Sequence, residues 1–251
     1  MGLGAAGWQR FAAEAATLDW AASALPGAQR ALADPGFAQM FQCEGTWFVG
    51  LDALPNDAEG RVAGGPPLTG AAVEAARAFG GWPALHRAQV SVTFPGYPKP
   101  RDGESEAAFG YRLKRDAAHV DGVLGEGSPK RRFVREPHRW ILGIGLGPCD
   151  AQAAPLVVWD GSHAIMGQTF RDALSHEAEP ENVDITDIYA AARRRCFEVC
   201  KRVEVSLQTG EAVLLHPMLL HGVAPWRAGE GARMTAYFRP DAASIKEWLT
   251  A

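Results

Sequence analysis

Two histidines and one aspartate have the types and spacing of metal ligands. His119 and Asp121 flank a single residue in the segment RDAAHVDG (115–122). Residues two apart in an extended chain point to the same side, so the imidazole and the carboxylate would be neighbours. His221 ends the apolar segment GEAVLLHPMLLHG (210–222), where a lone polar ring needs a partner. Two histidines with one carboxylate suit iron(II) that must also bind oxygen and an organic co-substrate.

A third segment could bind an anion. In RMTAYF (233–238), Arg233, Thr235 and Tyr237 alternate with three apolar residues, as in a strand with one polar face. An arginine on the inner face of a strand is costly unless it meets an anion, and a carboxylate matches its fork of donors. Arg239 shares this parity but precedes Pro240, so we expect it to end the strand and face solvent.

The order of these residues resembles the phytanoyl-CoA-dioxygenase-like branch of the Fe(II)/2-oxoglutarate-dependent oxygenases. The resemblance lies in His-x-Asp, the distal His-Gly, an arginine twelve positions after that histidine, and the segment APLVVWDGSH (154–163). It covers about residues 85–240. The N-terminal region and residues 170–200 match the family only loosely.

The resemblance implies a double-stranded β-helix, a jelly-roll or cupin-like barrel, flanked by α-helices. His119, Asp121 and His221 would bind Fe(II), and Arg233 with Thr235 would hold the distal carboxylate of 2-oxoglutarate. Trp140 would lie against the co-substrate. The implied activity uses O2 to convert 2-oxoglutarate to succinate and CO2 while hydroxylating a small organic molecule.

Alternatives remain at the site and for the function. His216 also ends an apolar stretch and rivals His221, although Pro217 follows it and His221-Gly222 fits the family pattern better. The basic segment 130–139 could meet an anionic substrate, but a solvated loop is the simpler interpretation. A binding protein without activity, or a cupin-like metalloenzyme that does not use 2-oxoglutarate, would share the fold.

Hydrophobic periodicity predicts mainly β structure with flanking helices. Six apolar runs separated by Gly, Pro and Asp turns predict strands at 88–94, 140–146, 156–159, 203–207, 212–215 and 234–238. Helical spacing predicts one or two helices over 8–32, broken at Pro26-Gly27, and further helices at 71–79 and 185–200. We expect one domain over 1–251: N-terminal helices at about 8–80, a β core at about 85–240, and a helical insertion at about 170–200.

Composition narrows the classes of partner. A net charge of −4 and 22% charged residues provide no basic field for nucleic acid. The four cysteines do not form a closely spaced metal or redox motif, which fits a reducing compartment. The N-terminus lacks the basic start of a signal peptide, and no apolar run is long enough for a membrane helix. The expectation is a cytoplasmic enzyme with a small-molecule substrate.

Overall fold

Short strands and helices follow one another along residues 3–251, which are the residues that the computed structural model describes. The strands are β1 Trp8–Phe11, β2 Phe41–Gln42, β3 Trp47–Gly50, β4 Gln89–Thr93, β5 Val123–Glu126, β6 Arg131–Val134, β7 Ile141–Gly145, β8 Leu156–Trp159, β9 Arg202–Val205, β10 Ala212–Leu215, β11 His221–Val223 and β12 Arg233–Phe238. The α-helices are α1 Ala15–Ala33, α2 Ala71–Gly80, α3 Glu106–Lys114, α4 Ser162–Leu174, α5 Thr186–Val199 and α6 Ile245–Trp248. Within this range, none of the helices has the length and apolar character to cross a bilayer.

Hydrogen bonds join the strands into two antiparallel sheets and a hairpin. The larger sheet has the order β1-β10-β7-β12-β4-β3-β2, the smaller has the order β11-β8-β9, and β5 pairs with β6. Inward-facing residues of both sheets share one apolar cluster, which includes Ile141 and Val213 from the larger sheet and Leu156 and Val158 from the smaller. The two sheets therefore pack face to face across a common interior.

Helices cover the outer faces of both sheets. Val90, Val92 and Leu142 of the larger sheet share a buried cluster with residues of α1 and α2. Val157 and Trp159 of the smaller sheet are buried together with residues of α4, α5 and α6. Helices thus cover both outer faces of the β core, so a binding site within the core would lie between the two sheets.

One region of this interior is polar. Three directly opposed pairs line the inner face where β12 meets β4: Arg233 with Thr93, Thr235 with Ser91, and Tyr237 with Gln89. The neighbouring strand β7 places Gly143 opposite Tyr237, where a Cβ atom would lie 2.6 Å from the tyrosine ring. A glycine is needed there because the ring occupies the space of a side chain.

The structure confirms most predicted elements. The six predicted strands correspond to β4, β7, β8, β9, β10 and β12, and two predicted helices correspond to α2 and α5. Helices α3 and α4 and the β5–β6 hairpin were not predicted: α3 has little apolar periodicity, and α4 begins at Ser162, inside the segment 154–163 that the sequence analysis used only for the family resemblance.

The prediction for residues 8–32 was partly wrong. Residues 8–11 form β1, because the free edge of β10 needs hydrogen-bond partners and β1 supplies them. Helix α1 continues through Pro26, and burial of Ala21, Ala24 and Ala28 in the core offsets the backbone hydrogen bond that Pro26 cannot donate. Residues 8–80 are therefore a mixture of strands and helices. Their assignment with the β core to one domain stays a prediction.

Candidate metal centre

A single pair of backbone hydrogen bonds brings the two halves of the site together. The N–H of His119 donates to the carbonyl of His221 at 2.8 Å, and the N–H of His221 donates to the carbonyl of His119 at 3.0 Å. This antiparallel bridge joins residues about one hundred positions apart and places their imidazole rings 4.7 Å apart, centroid to centroid. Both rings then lie on one side of the bridge.

The loop before His119 is fixed against β11 and β9. Asp116 receives two hydrogen bonds from the guanidinium of Arg202, at 2.7 and 2.9 Å, and its carbonyl accepts from the N–H of Val223 at 2.8 Å. A Cβ atom at Gly222 would lie 2.1 Å from that carbonyl oxygen. Gly222 is therefore required next to His221, because only glycine lets the loop approach so closely.

The side chains of His119, Asp121 and His221 converge. Asp121 Oδ1 lies 3.0 Å from His119 Nε2 and 3.5 Å from His221 Nε2. One nitrogen or oxygen atom from each residue falls within 4.8 Å of the others, which is the arrangement of a three-ligand metal site. The side chains of Asp121 and His221 are 11% and 7% exposed, whereas that of His119 is 43% exposed. The cluster therefore opens on the His119 side.

Hydrogen bonds select the ring nitrogen that can bind a metal. His119 Nδ1 lies 3.0 Å from the carbonyl of Ala117, and His221 Nδ1 lies 2.9 Å from the carbonyl of Leu219. A carbonyl only accepts, so each Nδ1 carries the hydrogen in the neutral ring, and each Nε2 keeps a free lone pair. Both free lone pairs belong to the nitrogens that face Asp121.

Arg239 lies beside the cluster, just after the end of β12 at Phe238 as expected, but the expectation that it faces solvent was wrong. Its Nε donates to Asp121 Oδ2 at 2.5 Å, and its side chain is only 18% exposed. The inward parity of β12 continues past Phe238 far enough to carry Arg239 toward Asp121. Burial raises the pKa of the Asp121 carboxyl, but the positive charge of Arg239 opposes burial, and this pKa lies well below its usual value. Asp121 is therefore an anion at neutral pH.

A cavity of about 610 Å³ adjoins the cluster. Its wall includes all three candidate ligands and Arg239. Toward the interior it is lined by Tyr237, Ser91 and Trp47, and toward the surface by Leu51, Leu124, His86 and Arg87. Leu51 and Leu124 are 54% and 39% exposed, so the mouth of the cavity has apolar edges. This volume is within the range that holds a small organic ligand.

Arg233 lies deeper in the interior, behind Tyr237. Its Nη2 donates to the Tyr237 hydroxyl at 3.1 Å and its Nη1 donates to the carbonyl of Ala154 at 3.0 Å, but its buried Nε is without a hydrogen-bond partner among the described residues. The Thr93 hydroxyl opposite Arg233 and the nearby Tyr97 hydroxyl are also buried and unpaired within this part of the chain.

Unpaired buried polar atoms are rare because each one loses its hydrogen bonds to water. The phenol of Tyr97 is also neutral, because burial raises its pKa. The Arg233 N–H, the Thr93 hydroxyl on the opposite strand and the Tyr97 hydroxyl, which is close enough for the Arg233 charge to act on it, are the kinds of donor that a carboxylate accepts from. The sequence reasoning identified Arg233 but missed Thr93 and Tyr97.

The other two predicted co-substrate residues differ in position. Thr235 is buried on the inner face between Arg233 and Tyr237 and opposite Ser91. Trp140 lies on the outer face of the larger sheet, where it stacks on Trp82 and donates to the carbonyl of Gly81. It has the parity of the outward-facing residues 142 and 144, so it does not contact the cavity.

His216, the rival for the third ligand, lies in a different environment. It is buried, its Nδ1 accepts from the N–H of Met218, and its ring packs against His163 and Phe79. Burial, with His163 as a smaller cause, lowers its pKa to about 4. His216 is therefore a neutral ring of the protein interior.

The burial of His216 predicts that the folded protein loses stability at acidic pH. A folded pKa of about 4 against about 6.5 in the unfolded chain means that the unfolded state binds more protons between these pH values. The contribution of His216 to stability is thus present above pH 6.5 and is lost as the pH falls toward 4, up to about 3 kcal/mol.

In His216→Asn, whose amide oxygen can still accept a hydrogen bond from the N–H of Met218, we expect a smaller drop in unfolding free energy between pH 7 and 4 than in wild type. Denaturant titrations at both values measure it; parallel profiles would contradict the assignment.

His138 is a polar residue of the cavity that sequence reasoning missed. Its ring is buried, and its Nδ1 is without a hydrogen-bond partner within residues 3–251, 3.5 Å from Asp241. Burial lowers its pKa, so the neutral ring can donate or accept a hydrogen bond. In contrast, three of the four arginines of the basic segment 130–139 pair with acidic side chains: Arg131 with Asp184, Arg135 with Glu126, and Arg139 with Glu247.

Comparison with known proteins supports the fold. No family model matches the chain, and no curated protein matches it by sequence. Among solved structures, the non-heme alpha-ketoglutarate-dependent carbocyclase SnoK from nogalamycin biosynthesis has a TM-score of 0.53 at 14% identity, covering 95% of this chain and 81% of its own. EctD from S. alaskensis with bound Fe has a TM-score of 0.51 at 16% identity, covering 96% of this chain and 74% of its own.

A third similar structure is the epimerase SnoN in complex with Fe3+, alpha-ketoglutarate and nogalamycin RO. Its TM-score is 0.54 at 16% identity, with 96% of this chain and 81% of that chain covered. The chain therefore shares the double-stranded β-helix fold of the iron- and 2-oxoglutarate-dependent oxygenases, as the sequence predicted. At such identities the likeness establishes the fold, and the activity has to be argued from the site.

Proposed function

We propose that this protein is a non-haem iron(II)- and 2-oxoglutarate-dependent oxygenase that oxidises a small organic molecule. The observation that carries the proposal is the convergence of Nε2 of His119, Nε2 of His221 and Oδ1 of Asp121 beside a cavity. Three ligands on one side of a six-coordinate ion leave three positions open. An iron(II) ion that must bind two co-substrates together requires that number of open positions.

The donor set fits iron(II) better than a structural zinc ion. Structural zinc sites are closed by four protein ligands and are rich in cysteine. Here the cluster has two imidazoles and one carboxylate and opens on the side of the half-exposed His119. The carbonyls of Ala117 and Leu219 fix both rings in the tautomer that presents Nε2.

The unpaired polar atoms deeper in the interior fit the distal carboxylate of 2-oxoglutarate. Arg233, Thr93 and Tyr97 would receive it, with charge neutralised by the guanidinium. Ser91 and Tyr237 line the cavity, and on the inner face of the larger sheet Ser91 is the neighbour of Thr93 while the Tyr237 hydroxyl accepts a hydrogen bond from Arg233. A short dicarboxylate that extends from the arginine to the metal along this face is therefore part of the proposal.

The proposed reaction balances with one O2 per turnover. Loss of CO2 from 2-oxoglutarate supplies two electrons and the substrate C–H bond supplies two, while one oxygen atom enters succinate and the other enters the hydroxylated product. When bound, iron(II) supplies the redox chemistry that couples these two oxidations. The protein would hold both partners in place, and buried apolar residues of the cavity wall such as Leu156 would keep bulk water out.

The substrate would enter between Leu51 and Leu124, whose exposed side chains suit an apolar body. Inside the cavity, the neutral ring of His138 offers a hydrogen bond to one polar group of that molecule. The structural neighbour SnoN was solved in complex with alpha-ketoglutarate and the small molecule nogalamycin RO. A small organic substrate is therefore the partner that we propose.

Anaerobic titration tests the proposal. Iron(II) and then 2-oxoglutarate are added to the purified protein, and we expect the weak visible charge-transfer band of an iron–keto-acid chelate. Admission of O2 should then release succinate, slowly without a primary substrate. His176→Ala, which changes an exposed histidine far from the cluster in sequence, is the matched control and should behave as wild type.

The results separate the alternatives. Iron(II) binding without the band and without succinate would indicate a metalloenzyme of cupin type that does not use 2-oxoglutarate. A band without succinate release would indicate a binding protein. Absence of iron(II) binding would overturn the proposal as a whole.

A further inference from the structure

The two oxygens of the Asp121 carboxylate have different partners. Oδ1 faces the Nε2 atoms of His119 and His221, at 3.0 and 3.5 Å. Oδ2 points the other way and accepts a hydrogen bond from Nε of Arg239 at 2.5 Å. One oxygen is thus directed toward the position of a metal ion, and the other is occupied by a guanidinium.

Arg239 is itself held in position by the larger sheet. Its Nη1 donates to the side-chain carbonyl of Gln89, which lies on β4 directly opposite Tyr237. Its guanidinium carbon lies 5.1 Å from the centroid of the Tyr237 ring, within the range of a cation–π contact. These contacts link the Asp121 carboxylate to strands β4 and β12.

We propose that Arg239 is a positioning residue that confines Asp121 to one-oxygen coordination of the metal. This inference rests on the proposed function. A carboxylate can bind a metal ion through one oxygen or through both, and a bidentate Asp121 would occupy a fourth position. Two positions would then remain, too few for a chelating keto acid and O2 together. Because Oδ2 is engaged with Arg239, the third position stays open.

The inference predicts a separation between metal binding and chelation. In Arg239→Met, Oδ2 is free and a nearby positive charge is removed, so Co(II) used as the probe metal should bind at least as tightly as in wild type. Binding of 2-oxoglutarate to the Co(II)-loaded protein should weaken about tenfold or more, because its two donor atoms compete with Oδ2. Arg239→Lys, which keeps one N–H donor, should restore most of the chelation. The visible spectrum of Co(II) should report the altered coordination in Arg239→Met.

A comparison of two ligands separates this role from direct contact with the co-substrate. Glutarate has both carboxylates of 2-oxoglutarate but lacks the keto group and cannot form the same chelate. If Arg239 acts through Asp121, Arg239→Met weakens 2-oxoglutarate binding and leaves glutarate binding unchanged. An equal loss for both ligands would show that Arg239 contacts the co-substrate carboxylate, and would overturn the inference.

Calorimetry with Co(II), 2-oxoglutarate and glutarate provides these constants, and Arg195→Met on the exposed face of α5 is the matched control. A parallel loss of Co(II) affinity and thermal stability in Arg239→Met would indicate a merely structural contact and would also overturn the inference. Unchanged chelation in this variant would do the same while the proposed function stands. If wild type binds neither Co(II) nor iron(II), the proposed function fails first.

Discussion

Asp121→Ala is expected to reduce metal affinity more than 100-fold and to bring metal-dependent succinate formation to background. The substitution removes the only charged ligand of the cluster and leaves the Arg239 guanidinium without its anionic partner. An unpaired cation next to an empty coordination position also repels a divalent ion. Loss of a residue that only supports a ligand costs about 10- to 100-fold in affinity, so loss of the ligand itself should cost more.

Binding of Co(II) or iron(II) by calorimetry and succinate release measure this effect directly. His221→Ala should behave in the same way, since His221 Nε2 is also one of the three candidate ligand atoms and lies 3.5 Å from Asp121 Oδ1. His176→Ala controls for loss of an imidazole elsewhere on the surface. Undiminished succinate formation in either ligand variant would refute the assignment of that residue.

The three candidate metal ligands could be predicted from the sequence because their residue types and positions permit few other roles. An imidazole and a carboxylate two apart on an extended segment, and a histidine at the end of an apolar segment, have few inexpensive structural roles. The structure places His119, Asp121 and His221 together through a bridge between two backbone segments. That bridge depends on long-range pairing, which the spacing of residues does not reveal.

The residues that were missed depend on strand register. Thr93 and Gln89 were part of an apolar run at 88–94, but their alternation with Val90 and Val92 was a usable signal for a strand with one polar face. Which residue of β12 lies opposite each of them is set by tertiary structure. Tyr97 follows β4 in a loop, where periodicity gives no information about direction.

Trp140 and Arg239 illustrate the limits of parity. Strand β7 is buried on both faces, so residue type could not show that residues 141, 143 and 145 face inward and that Trp140 faces outward. For Arg239, parity pointed inward, but the following Pro240 suggested that the strand had ended. The hydrogen bond to Asp121 shows that a side chain of this length reaches the interior from just beyond the last paired residue.

Arg233→Met should weaken 2-oxoglutarate binding on the order of 10- to 100-fold while metal affinity stays close to that of wild type. Hydrogen bonds to charged groups contribute about 1.5–3 kcal/mol, and the substitution removes the fork of donors while filling most of the same space. Arg233 is 3% exposed, so water cannot replace it as a partner for the carboxylate. Calorimetry on the Co(II)-loaded protein measures both constants.

Arg233→Lys is the control for this prediction, because it tests the planar arrangement of the guanidinium donors separately from the positive charge. Arg233→Lys keeps the charge but cannot donate to Ala154, Tyr237 and a carboxylate in the same planar arrangement, so its affinity for 2-oxoglutarate should lie between those of wild type and Arg233→Met. Glutarate should lose affinity in parallel with 2-oxoglutarate, because both present the distal carboxylate; this is the opposite of the pattern expected for Arg239→Met. Tight 2-oxoglutarate binding in Arg233→Met would show that the carboxylate is held elsewhere, and the unpaired Thr93 and Tyr97 hydroxyls would then need another ligand.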